Sequence, residues 1–207
     1  MKSLICLLSV PLLAQQGVNF YSLEKERALG MQMAAEVRKS ASAVTDAAIQ
    51  EYVHGVGGAL APFAKEPAVV SHFSFEVISS ADRTEPFSTP GGSVFVPVRA
   101  LVAAEDEAEF VGMLAHAIGH AALRHGTRSA TRAQVVNMAS VPLIYMGSWA
   151  GPHVDMRRSA ESPMPLGALK FQRVAELEAD RFAVDTASKA GYDPAGLLRY
   201  VERVQTD

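Results

Sequence analysis

Residues 105–125, EDEAEFVGMLAHAIGHAALRH, set two histidines four apart in a run whose acids gather at its start and whose later positions are mostly apolar. Acids in the first turn followed by apolar residues predict a helix from Glu105 to about His125. An α-helix advances about 100° per residue, so His116 and His120 differ by about 40° around the axis and about 6 Å along it. Both imidazoles can reach one ion. This constrains the fold more than any other feature, because a metal held here needs a third donor from a distant segment packed against the helix. Six histidines in 207 residues produce some pair at this spacing by chance roughly one time in six. The partner segment therefore decides whether the pair means anything.

Cysteine is excluded as that donor. Cys6 is the only one, inside an apolar run from Leu4 to Leu13 that follows Lys2 and precedes Ala14. The run is too short to span a bilayer and reads as a secretory signal, residues 1–14, ahead of a single domain at 15–207; a buried N-terminal helix is the structural alternative. Cleavage near Ala14 removes the thiol, which suits a secreted or periplasmic protein in an oxidising compartment. The donors must then be histidine and carboxylate.

The best candidate lies in ALKFQRVAELEADRFAVDTASKA, residues 168–190, a second long helical pattern closed by Gly191 with Pro194 beyond. Glu176 and Asp180 share a face, and Glu178 points roughly the opposite way. Glu176 would complete a His, His, Glu set with a fourth position open, the arrangement of catalytic rather than structural zinc, one Zn2+ per chain. Asp180, one turn on, could accept the free N–H of a ligating histidine. The bland alternative is a solvated acidic face beside Arg173 and Arg181.

Elsewhere, Ser22 caps a helix predicted from Leu23 to about Lys39, and Asp46 caps a second with Ile49, Val53, Val56 and Leu60 on one stripe, weakened by Gly55, Gly57 and Gly58. HFSFEVIS, residues 72–79, alternates as a half-buried strand. ADRTEPFSTPGG reads as loop, SVFVPV as a short strand that Pro97 confines to an edge or to its own end, and PAGLLRYVERVQ as a final short helix. Gly91, Gly92, Ser93, Val94 and Phe95 are accordingly candidates for an edge strand that pairs with extended substrate. VVNMASVPLIYMGSWAG, residues 135–151, is either buried core or an exposed contact surface. A formal net charge of −3 gives no reason to expect nucleic acid.

Four stretches, NFYSLEKERALGMQMAAEV, PFSTPGGSVFVPVRAL, EDEAEFVGMLAHAIGHAALRH and RVAELEADRFAVDTASKAGYDP, cover nearly all of the chain beyond the leader, in order. In them the chain resembles the zinc metallopeptidases of family 48, a gluzincin-type group that includes the CAAX prenyl proteases and secreted or periplasmic relatives. The resemblance implies an α+β, mostly helical zincin-like domain with a small β-sheet and a zinc-binding active-site helix. It also implies His116, His120 and Glu176 on zinc, Asp180 behind them, and hydrolysis of extended or unfolded polypeptide.

One position departs from that pattern. The zinc-protease motif H-E-x-x-H has glutamate where this chain has Ala117. That glutamate is the general base, not a ligand, so alanine should leave helix and metal binding intact while removing about 100- to 10,000-fold in rate. Asp106 lies about 16 Å back along the axis and Glu109 about 12 Å, so neither can stand in. His125 is as distant unless the helix ends and folds back, and His153 could approach only from a loop. Three readings follow: a metallopeptidase scaffold disabled at its base, an envelope pseudoprotease acting as a binding or chaperone-like module, and a metal-free helical domain.

Overall fold

A computed structural model describes residues 18–64, 73–80, 83–134 and 166–206. The proposed leader, residues 135–151 and His153 lie outside them. Helix α1 (Leu23–Ser40) begins at Ser22, whose hydroxyl accepts from the Lys25 N–H, and has Glu24 and Glu26 in its first turn and Arg38 and Lys39 in its last. Both charge placements complement the helix dipole. After the two-residue β1 (Ser42–Ala43), α2 (Ala47–Leu60) starts at Asp46, which accepts from the amides of Ala48 and Ile49. Val53, Val56 and Leu60 are buried on its inner stripe, each worth about 1.5–3 kcal/mol.

Gly57 has a use that propensity conceals: a Cβ there would lie 2.5 Å from the Phe75 ring. The glycine lets α2 approach the sheet. Gly55 and Gly58 meet nothing within 4 Å.

The sheet contains β1, β2 (Ser74–Ser79), β4 (Ser93–Pro97) and β3 (Phe87–Ser88), in that spatial order. β2 and β4 run parallel, and the two outer pairings are antiparallel. Phe75, Val77, Val94 and Val96 join the main core with α2 and α4, whereas Ile78 and Phe95 pack on Ala34 of α1. A sheet covered on both faces explains why β4 is buried along nearly its whole length. Pro97 stands at the end of β4, as its missing N–H requires.

Here one expectation fails. β4 is interior, paired with β2 on one side and β3 on the other, so Ser93, Val94 and Phe95 offer no free edge. Gly91 and Gly92 lie in the turn before it at φ 83° and 100°, with Gly91 against Arg27. Among the described residues the outer strands are β1 and β3, the latter in the stretch read as loop; two residues are too few to show alternation.

α3 (Val98–Ala103) leads to α4 (Glu107–Ala122), capped by Asp106, which accepts from the Glu109 N–H at 2.8 Å. α4 is buried over most of its length, the central helix of an α+β, mostly helical domain. It ends earlier than expected, because Arg124 adopts φ 59°; the chain turns and resumes as helix α5 over residues 125–134. α6 (Leu166–Lys189) and α7 (Gly196–Thr206) pack on α4. Gly119 allows the α6 approach, since a Cβ there would lie 2.8 Å from the Phe182 ring. Among the described residues no helix is long and apolar enough to cross a membrane.

Candidate metal centre

The close contact at Gly119 brings α6 beside the histidine face of α4. Nε2 of His116 and Nε2 of His120 are 2.9 Å apart, and Oε2 of Glu176 stands 3.4 Å from the first and 3.5 Å from the second. Tetrahedral donors about 2.0–2.1 Å from zinc are separated by about 3.3 Å. The triangle brackets that spacing, so the three donors fit a single ion at ordinary bond lengths. Two imidazoles and a carboxylate suit zinc, and the side chains of His116, His120 and Glu176 are 23, 27 and 48% exposed, so solvent reaches the donors. Among the described residues this is the one cluster of three such donors within 4.8 Å of one another.

Each imidazole is oriented from behind. Nδ1 of His116 is 2.9 Å from Oδ1 of Asp180, as expected for a carboxylate one turn after Glu176. The partner of His120 was not foreseen. His125, brought back by the turn at Arg124, sets its Nδ1 3.1 Å from Nδ1 of His120. Nε2 of His125 is 3.0 Å from Oε2 of Glu178, which also accepts from Nη1 of Arg128 at 2.8 Å. Glu178, expected on the opposite side of α6 from Glu176, thus meets two residues of α5.

Burial, and after it the neighbouring His116, holds the His120 imidazole down to about 4; burial likewise lowers His125. A neutral ring keeps a lone pair for a metal. Burial alone would raise Glu178, but its bonds from Arg128 and His125 outweigh that and lower it.

Ala117, 1% exposed, lies in the wall of a cleft of about 300 Å³ between α4 and the segment Phe87–Pro90, which includes the outer strand β3. The cleft also touches two carboxylates, each partnered through one oxygen, while the buried Oε1 of Glu26 has no hydrogen-bond partner among the described residues. Glu26 pairs through Oε2 with Nε of Arg124 at 2.5 Å, and Glu85 accepts from the Tyr200 hydroxyl at 3.1 Å. Asp106 and Glu109 are occupied at the far end of α4 by Arg199 and Arg203. Of the sequence-derived residues, His116, Ala117 and His120 line this cleft, and Glu176 and Asp180 meet the two histidines from α6.

The sequence pattern of peptidase family M48 matches residues 47–205. The β-barrel assembly-enhancing proteases of Yersinia pestis and Escherichia coli (strain K12) are each 24% identical to this chain over 192 residues, 88% of it and 38% of their own length. A putative β-barrel assembly-enhancing protease of Vibrio cholerae is 24% identical over 188 residues. The chain therefore spans well under half the length of these relatives.

Proposed function

The chain belongs to peptidase family M48, and on that premise we propose that it is a zinc metalloendopeptidase scaffold that binds zinc and extended polypeptide but cleaves little. The observation that carries this reading is the convergence of His116, His120 and Glu176 beside Ala117.

His116, His120 and Glu176 would hold the ion, with Asp180 keeping Nδ1–H on His116 so that Nε2 faces the metal. Zinc, when bound, supplies a Lewis acid that polarises a scissile carbonyl. An extended substrate would lie along β3, Phe87–Ser88, an outer strand among the described residues that borders the cleft, where main-chain pairing would read backbone rather than side chains. The remaining task is to take a proton from the attacking water and deliver it to the leaving amine, which a methyl group cannot do. An amide nitrogen departs poorly unless protonated, so the reaction stalls at Ala117. The leader-like residues 1–14 support a secreted or periplasmic site of action.

The test is Ala117→Glu. With zinc bound to both proteins, the variant should cleave an unfolded casein or a quenched peptide about 100- to 10,000-fold faster than the parent, and a chelator should abolish the gain. Equal, robust, chelator-sensitive cleavage by both would show that no glutamate is needed at 117; Glu26, the cleft carboxylate whose Oε1 has no partner among the described residues, would then be the group to mutate. Zinc binding without cleavage in either supports the pseudoprotease reading, and no bound zinc supports a metal-free domain.

A further inference from the structure

We propose that His125 and Glu178 form a positioning chain for His120, fixing its tautomer and ring orientation so that Nε2 stays turned to the metal. The proposal rests on the ligand assignment above and extends it to residues two steps removed from the ion.

The hydrogen bonds around His120 and His125 close in only one way. If Nε2 of His120 ligates, its proton must reside on Nδ1, and the atom facing that Nδ1 at 3.1 Å is Nδ1 of His125. That nitrogen must then be bare, which places the His125 proton on Nε2, 3.0 Å from Oε2 of Glu178. Glu178 is an acceptor fixed by Arg128. Every group is satisfied in this one arrangement. The opposite tautomer of His125 would set two N–H groups against each other at one end and a lone pair against a carboxylate at the other. A doubly protonated His125 would clash with His120 in the same way.

The geometry makes the two ligating imidazoles equivalent in kind. His116 leans on a carboxylate directly, Asp180, and His120 leans on one through an intervening imidazole, because Glu178 projects toward α5. His125 is 7% exposed, so water does not compete for its ring nitrogens. Its placement depends on Arg124: the left-handed residue ends α4 and carries the next side chain back over the helix it has just left.

Two measurements on the full chain test this. Long-range 1H–15N spectra of the zinc-loaded protein should show His125 as the Nε2–H tautomer with an unprotonated Nδ1. In chelator competition, His125→Leu should bind zinc about 10- to 100-fold more weakly, the usual consequence of losing a ligand's hydrogen-bond partner. His125→Asn, which returns an acceptor oxygen near the Nδ1 position, should recover part of the loss, an outcome that a purely space-filling role would not give. An Nδ1–H tautomer at His125 overturns the proposal, as does zinc affinity within about threefold of the parent in His125→Leu. The tautomer measurement uses the parent chain and so stands even if the leucine variant does not fold. Failure of the parent itself to bind zinc is a different result, and overturns the ligand assignment beneath.

Discussion

Substitution of Arg124 separates two energies that the structure sets against each other. The residue sits at φ 59°, a region that costs a non-glycine side chain about 1–2 kcal/mol. Its guanidinium holds Glu26, 2% exposed, at 2.5 Å and the Tyr21 carbonyl at 2.6 Å, with the Thr127 hydroxyl also donating to Glu26. Removing one partner of a buried pair costs about 3–5 kcal/mol. The Arg124 side chain is 21% exposed, so the lower end applies. Arg124→Ala keeps the unfavourable backbone and loses the pair, a loss of about 3 kcal/mol. Arg124→Gly loses the same pair but relaxes the backbone, recovering about 1 kcal/mol. Against a total stability of about 5–15 kcal/mol both losses are large. Urea unfolding of the metal-free protein, followed by far-UV circular dichroism, measures each. A glycine variant as stable as the parent would refute the contribution of the pair, and indistinguishable glycine and alanine variants would refute the backbone cost.

Two further outcomes are expected. Gly55→Ala, at an exposed helical site with nothing within 4 Å, should stabilise by about 0.5–1 kcal/mol, whereas Gly57→Ala drives a methyl to 2.5 Å from the Phe75 ring and should destabilise by about 1–3 kcal/mol before that helix gain is subtracted; thermal melts of the pair give the signs. Burial, with the Glu85 charge beside it, pushes the Tyr200 hydroxyl up to about 12, against about 10 for an unfolded chain. Between those values the unfolded chain gives up a proton that the folded protein retains, so stability present below pH 10 is lost as pH rises toward 12. Tyr200→Phe should flatten that decline and remove the latest phenolate step at 295 nm; an unchanged titration would show that Tyr200 ionises normally.

The long helices were readable because caps, end charges and apolar stripes recur at 3.6-residue spacing, and the same arithmetic put Glu176 and Asp180 on one face. The fold class followed from those elements. β3 was not readable, because two residues carry no period, and with it went the choice of edge strand: the alternation in SVFVPV marks a strand without saying how many neighbours it has. His125 enters the sequence reading only as a base that would need the helix to end and fold back, and its place beside His120 is hidden for a sharper reason. Its approach to His120 requires a left-handed residue at 124, and arginine carries no local signal for that conformation; the stabilising partner, Glu26, lies 98 residues earlier. Glu178 is hidden because a helical wheel shows which residues share a face of α6 but not that α5 packs against another.

The donor triad is split between α4, with two members, and α6, with one. An ion bound by all three is therefore a cross-link between helices far apart in the chain, and its affinity reports how firmly they are docked. At a free zinc concentration 100 times its dissociation constant, binding to the folded form alone would add about 2.7 kcal/mol of resistance to their separation. Whether or not the chain cleaves peptide bonds, such a cation would serve as a latch.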